Sequence, residues 1–156
     1  MKSNAPILIV ALLICFLLSN SPLVAQSRDR NNPTQLLSPV IEGFAGADSS
    51  VYWYRLTADP GELIFHMRAD CFERDCGGIS ARFVLYDKNM QAVMDESLVA
   101  DRYGSKSKNH SLSLQSRQDF LLSIGHGSTG GKPGRYRIQF EGAVDLPQKE
   151  SDEKDD

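Results

Sequence analysis

The clearest structural pattern in the chain is residues 51–68, which read VYWYRLTADPGELIFHMR. In both halves of this stretch the side chains alternate between two faces: Tyr52, Tyr54 and Leu56 against Trp53 and Arg55, then Leu63, Phe65 and Met67 against Ile64, His66 and Arg68. Alternation with a period of two is typical of a strand that buries one face. Between the halves, Asp59-Pro60-Gly61 predicts a turn, because proline presets φ and glycine accepts a positive φ. The stretch therefore predicts two strands joined by a turn.

Similar alternation returns along the rest of the chain. It predicts further strands at residues 81–86, 91–94, 112–114, 120–124 and 136–140. Asp87-Lys88-Asn89 predicts a turn, and residues 101–110, rich in lysine and serine, predict a polar loop. We expect Phe83 and Phe120 on the buried faces, since their neighbours two residues away are apolar. Short strands without a long helical-period window predict an all-β fold, either a β-sandwich or a barrel.

The first residues predict export. Met1–Asn4 carries positive charge, and Ile7–Leu18 is a run of twelve residues without a polar side chain. Ala25 then offers a small residue for cleavage, so residues 1–25 predict a secretory signal peptide. The run is shorter than the roughly 18–20 residues of a membrane-spanning helix, so we expect no transmembrane segment in the mature chain. These residues therefore predict a periplasmic or extracellular protein. The alternative is that the apolar segment is retained as a membrane anchor.

Removal of the signal peptide leaves about 130 residues, which suits one domain. Residues 26–47, broken by two prolines, predict an extended polar leader, and residues 48–145 predict the β-domain. Residues 146–156 predict an acidic, disordered tail. The formal net charge of the chain is −3 at pH 7, and the tail carries much of it. No global positive field marks a nucleic-acid partner, and we expect none.

Two cysteines remain after the predicted cleavage, Cys71 and Cys76. In an oxidising compartment an even pair of cysteines predicts a disulfide. The alternatives are free thiols and a metal-binding or redox role. A zinc site would need two further ligands, and nothing ties them to this loop. Asp70, Glu73 and Asp75 lie beside the pair, where a calcium site is the alternative to a solvated, charged loop. Their spacing does not match an EF-hand, so we predict no metal and no cofactor.

Three of these segments resemble the strands of bacterial pre-peptidase C-terminal domains. Val51–Thr57 with the following Asp59-Pro60-Gly61 resembles their opening strand and turn, and Ala81–Asp87 resembles a middle strand that ends in a Tyr-Asp turn. Gly134–Phe140 is similar to their final strand, so the resemblance spans about residues 48–142. It implies an antiparallel, jelly-roll-like β-sandwich of about seven to eight strands. It also implies a secreted, non-catalytic domain used for binding or for aiding secretion.

Candidate catalytic residues are sparse. Gly125–Gly130 has the spacing of a dinucleotide fingerprint, which works only between a strand and a helix. Because Pro133-Gly134 and another strand follow, we interpret this segment as a flexible hairpin loop. His126, Ser128 and Asp119 are the residue types of a base, a nucleophile and an orienting acid, so a small hydrolase is an alternative hypothesis. Common residues in a loop are weak evidence, and we predict that the protein is not an enzyme.

The outward positions of the predicted strands are rich in arginine. The candidate binding patch consists of Trp53, Arg55, His66, Arg82, Arg135 and Arg137, with Arg68 beside it. Arginine next to exposed aromatic surface is the composition of recognition patches. The sequence therefore predicts an exported β-sandwich binding module for an envelope protein, a glycan or another polyanion. A structural or assembly component of a cell-envelope complex is the alternative.

Overall fold

The computed structural model describes residues 26–46, 48–71, 76–130 and 132–147. The predicted signal peptide and the acidic tail beyond residue 147 lie outside these residues. None of the described residues is helical, and eight strands account for the fold. The strands are β1 (Thr34–Gln35), β2 (Val40–Ala45), β3 (Val51–Asp70), β4 (Ile79–Tyr86), β5 (Ala92–Ala100), β6 (Ser105–Leu114), β7 (Gln118–Ser128) and β8 (Gly134–Asp145). The predicted all-β class is confirmed.

The long strand β3 takes part in both layers of the molecule. Its first half, Val51–Ala58, pairs with β7, whereas its second half, Leu63–Asp70, pairs with β6 and β8. The pairing with β8 shifts register between Ala58 and Leu63, and Gly61 in this interval has a φ of 135°. The predicted turn at Asp59-Pro60-Gly61 is therefore wrong, because these residues lie within one continuous strand and make its pairing irregular. Proline and glycine are found at irregularities in strand pairing as well as in turns.

The strand order β2-β8-β3-β7-β4-β5 divides at β3 into two layers. We call the first half of β3 with β7, β4 and β5 the front layer, and β2, β8, the second half of β3 and β6 the back layer. The short strand β1 runs parallel to β3 at the edge of the front layer, and all other pairs are antiparallel. This arrangement is a β-sandwich.

The core lies between the layers, on the strand faces that alternation predicts. Phe83 and Phe120 are buried as expected, as are the inward residues of the second half of β3. Phe65 and Phe140, on paired strands of the back layer, meet edge to face with ring centroids 5.6 Å apart, and Phe83 meets Tyr136 edge to face across the core at 6.4 Å. Contacts of this kind add to the apolar area that the layers bury.

Two predicted loops are strands. β6 begins at Ser105, so most of the predicted polar loop at residues 101–110 pairs with the second half of β3. Residues 105–110 show no apolar alternation. The reason is that β6 pairs with a single neighbour at the edge of the back layer, and most of its side chains are exposed. Likewise, β7 continues to Ser128, so the interpretation of residues 125–130 as a flexible hairpin loop is wrong for residues 125–128.

The segment that precedes β3 is extended and lies against the sandwich. β2 pairs along its length with β8, and Ser27 forms an isolated bridge with Trp53. After β3, the predicted disulfide between Cys71 and Cys76 is present, with an S–S distance of 2.06 Å. The part of the chain that the structure describes contains no helix long and apolar enough to span a membrane.

Candidate functional site

The bend in β3 divides the predicted binding patch between two outward faces. Trp53 and Arg55 belong to the first half of β3, and together with Arg82 on β4 they face outward from the front layer. The remaining patch residues are on the outward side of the back layer: His66, Arg68, Arg135 and Arg137. The seven residues therefore form two groups on opposite sides of the sandwich rather than one contiguous patch.

The arginines of the back-layer group have partners within the chain. Arg137 Nη1 lies 2.7 Å from Glu42 Oε1, and Arg68 Nε donates to both carboxylate oxygens of Asp70 at 2.7 and 2.9 Å. The guanidinium of Arg135 lies 5.4 Å from the ring centroid of Phe44, a cation–π contact. Arg137 thus links β8 to β2 through an ion pair, Arg68 is paired within β3, and Arg135 keeps its charge over an aromatic ring.

The back-layer histidine is paired as well. His66 Nδ1 is 3.0 Å from Asn109 Oδ1, and His66 Nε2 is 3.2 Å from Glu141 Oε2. The hydrogen bond with Asn109, followed by the one with Glu141, raises the pKa of His66 above its ordinary value. His66 therefore belongs to the polar pairing of the back layer.

The front layer presents an aromatic pair. Trp53 on β3 and Tyr86 on β4 are both half-buried, and their ring centroids lie 5.9 Å apart with an interplanar angle of 32°. The intervening strand β7 places Ser123 opposite Trp53 and Leu121 opposite Arg55. A small side chain at Ser123 leaves room for the two rings to approach each other across β7. The pair forms an apolar platform in the middle of the outward face.

The two arginines of the front layer differ in their partners. Arg82 Nε and Nη2 donate to the two carboxylate oxygens of Asp95 at 2.8 and 2.5 Å, and this pairing lowers the pKa of Asp95. The guanidinium of Arg55 has no ion pair or hydrogen bond with any residue that the structure describes. The aromatic platform is thus flanked by a neutralised ion pair on one side and by an uncompensated cation on the other.

Small residues form a strip beside the platform. Gly127 is paired with Ser80, and a Cβ added to Gly127 would lie 3.4 Å from Ser49 Oγ and 3.5 Å from Ser80 Oγ. Gly125 occupies the neighbouring outward position, opposite Arg82, where an added Cβ would lie 3.7 Å from Val51 Cγ2. Both glycines are partly exposed, so the strip presents backbone beside these small side chains. We call this surface the front face; it comprises Trp53, Arg55, Arg82, Tyr86, Asp95, Ser80, Gly125 and Gly127.

The sequence did not indicate three members of the front face, Ser80, Tyr86 and Asp95. Tyr86 was only the last residue of a predicted strand, and Ser80 and Asp95 lay just outside the predicted strands. Their position beside Trp53 and Arg82 depends on the strand order β3-β7-β4-β5, which no local pattern contains. The glycines were visible, but their spacing suggested a loop.

The residue types of a hydrolase do not come together. His126 points inward between the layers, whereas Ser128 Oγ lies 3.4 Å from the carbonyl oxygen of Lys132. Asp119 Oδ1 accepts a hydrogen bond of 2.7 Å from Thr57 Oγ1 at the other end of β7. Among the described residues no base contacts Ser128, and a nucleophilic mechanism would require such a contact.

His126 is instead a core residue. It is 7% exposed and stacks between Tyr52 and Tyr136, with ring centroids 5.4 and 5.3 Å away. Neither ring nitrogen has a hydrogen-bond partner among the described residues. Burial lowers the pKa of His126, partly opposed by the charge of Asp48, while Arg28 adds to the lowering. The neutral imidazole thus behaves as an aromatic filler in the core.

The calcium hypothesis rests mainly on undescribed residues. Glu73 and Asp75 lie outside the described residues, and the carboxylate of Asp70 is occupied by Arg68. Within the described ranges, no group of three or more His, Cys, Asp or Glu residues is arranged to hold a metal ion.

Comparison with known proteins gives structural similarity only. No protein-family model and no curated protein matches the sequence. The pre-peptidase C-terminal domain of collagenase from Bacillus anthracis is 12% identical, with a TM-score of 0.40, and the match covers 70% of this chain and 95% of that chain. This domain is a member of the family that the strand motifs resemble.

Carbohydrate-binding modules are also similar in structure. Xyl-CBM35 in complex with a glucuronic acid-containing disaccharide is 11% identical with a TM-score of 0.43, covering 69% of this chain and 79% of that one. A family 16 carbohydrate-binding module is 10% identical with a TM-score of 0.43, covering 63% and 73%. Similarity at this level concerns the fold.

Proposed function

We propose that this chain is an exported, non-catalytic binding module whose front face binds a glycan. The observation that carries the proposal is the aromatic pair of Trp53 and Tyr86, exposed in part beside the strip that contains Gly125 and Gly127. Sugar rings have apolar C–H faces that stack on aromatic rings, and the tilted pair offers such a surface.

Polar groups around the platform suit the hydroxyl groups of a sugar. Arg82 offers N–H donors and Asp95 offers acceptors, and their pairing keeps both side chains in fixed positions. Ser80 adds a hydroxyl at the glycine strip. A ligand lying along the strip would thus meet apolar contact and orienting hydrogen bonds together, which is the usual composition of a small-molecule site.

The proposal that the protein is exported rests on the N-terminal sequence and on the two cysteines. The predicted signal peptide directs the chain out of the cytoplasm. The Cys71–Cys76 disulfide is the bond expected to persist in an oxidising compartment, where extracellular and envelope glycans are found.

The test uses Trp53, the single tryptophan of the chain, as its own reporter. Soluble pectin, xylan, laminarin and dextran are titrated against the exported protein while tryptophan fluorescence is recorded, and affinity gel electrophoresis confirms each response. We expect at least one polysaccharide to retard the wild type and shift its fluorescence.

Two variants test whether the front face is the site. Trp53→Ala removes the stacking surface and should weaken retardation about 10-fold, the effect of roughly 1.4 kcal/mol. The control is His66→Ala, a substitution on the outward side of the back layer, which should leave retardation unchanged. Equal retardation of the two variants, or failure of every polysaccharide to bind, would refute the proposal.

A further inference from the structure

Most arginines of the described chain have a partner within it. Five are paired with carboxylates, namely Arg28 with Asp48, Arg68 with Asp70, Arg82 with Asp95, Arg117 with Asp59 and Asp145, and Arg137 with Glu42. Arg135 lies over the ring of Phe44. The ion pairs compensate three of the arginines that the sequence alone suggested for a polyanion-binding surface, namely Arg68, Arg82 and Arg137.

Arg55 is an exception to this pairing, and it lies beside the aromatic platform. It is exposed, its guanidinium has no partner among the described residues, and it lies two residues after Trp53 on the same outward face. Arg30 and Arg102 also have no partner in the described chain, but both lie in turns. Arg55 is therefore an uncompensated cation on a strand face, and it lies next to the aromatic platform.

We propose that Arg55 anchors an anionic group of the ligand, so that the front face selects acidic glycans over neutral ones. This inference rests on the proposed function and adds the class of sugar. A planar guanidinium matches the two oxygens of a carboxylate or sulfate and donates two parallel hydrogen bonds to them. An anion at Arg82 would face the carboxylate of Asp95, whereas an anion at Arg55 displaces no existing partner.

Polygalacturonate and its methyl-esterified form test the inference, because they share a backbone and differ in charge. The wild type should bind polygalacturonate about 10-fold more tightly, the effect of one charged hydrogen-bonded contact. Arg55→Gln should abolish this preference. Arg55→Lys should retain part of the preference, since it keeps the charge and loses the fork.

Arg137→Gln is the matched control, because Arg137 lies on the back layer and is already paired with Glu42; it should behave as the wild type. Dextran sulfate and dextran form a second pair of probes. A preference for the sulfated polymer that Arg55→Gln abolishes also supports the anchor and identifies sulfate as the anion it takes.

The two proposals fail differently. Equal wild-type affinity for the charged and neutral members of both pairs would overturn the anchor, as would a preference that survives in Arg55→Gln. The glycan-binding function would still stand if Trp53→Ala weakened binding to the neutral polymers. Binding that is insensitive to Trp53→Ala would overturn the glycan-binding function itself.

Discussion

Phe83 and Arg82 are neighbours on β4 that face in opposite directions, and they give the sharpest test of the sandwich. Phe83 is 0% exposed and meets Tyr136 edge to face across the core. Phe83→Ala would leave a cavity between the layers that the paired strands cannot close. Arg82→Ala removes a longer side chain from the neighbouring position, but that side chain lies in solvent.

The expected magnitudes differ several-fold. Truncating a fully buried phenylalanine costs about 3–5 kcal/mol, a large share of the roughly 5–15 kcal/mol that stabilises a typical domain. The Arg82–Asp95 pair is exposed, with 62% and 43% of the two side chains accessible, so solvent screens it and its loss should cost far less than the loss of Phe83. Phe120, which is 3% exposed on β7, provides a second core position with the same expected cost as Phe83.

Urea unfolding at pH 7, followed by far-UV circular dichroism and by Trp53 fluorescence, measures these costs. The dependence of the unfolding free energy on urea should be the same for all variants, so that midpoint shifts report stability. A cost for Arg82→Ala equal to or above that for Phe83→Ala would refute the assignment of faces. A register error of one residue would produce that result, because successive side chains point to opposite sides of a strand.

The remaining predictions concern His126 and Gly142. Burial lowers the pKa of His126, so the unfolded chain binds more protons; its contribution to stability is present above pH ~6.5 and is lost as the pH falls through its folded pKa. His126→Phe should flatten the fall in unfolding free energy between pH 7.5 and 4.5, and parallel profiles for variant and wild type would contradict this. His66→Gln is a control of opposite sign, because the pKa of His66 is raised and its contribution is lost as the pH rises. Gly142 has a φ of 77°, and an added Cβ would lie 2.1 Å from the carbonyl oxygen of Glu62. Gly142→Ala should therefore lower the unfolding free energy by about 2–4 kcal/mol in urea unfolding, against under about 0.5 kcal/mol for the exposed control Ser113→Ala.

The buried faces were predictable because burial leaves a local mark on the sequence. Inward residues such as Phe65 and Tyr136 alternate with outward ones, and a period of two is visible within five or six residues. β6 left no such mark, since Ser105 to His110 lie at the edge of the back layer and are mostly solvated. Where only the backbone pairs, side-chain pattern carries little information about the strand.

The candidate site depended on contacts between residues distant in sequence. Arg82 and Asp95 are 13 residues apart, and Arg137 and Glu42 are 95 residues apart. No local rule connects such pairs, so the sequence showed a row of arginines without showing which of them are compensated. The seven outward residues looked equivalent for that reason.

The bend in β3 explains both the failure of the predicted patch and the position of the proposed one. Strand residues of one parity share a face only while the strand stays in one sheet. Because β3 leaves the front layer near Gly61, the outward residues before the bend and after it face opposite sides of the sandwich. Arg68, after the bend, lies among the acids of the back layer and is paired. Arg55, before it, lies between β1 and β7, where its directly paired neighbours Gln35 and Leu121 carry no charge. The irregularity at Asp59-Pro60-Gly61, which the sequence pattern indicated as a turn, therefore separates Arg55 from the paired arginines of the back layer and leaves it beside Trp53.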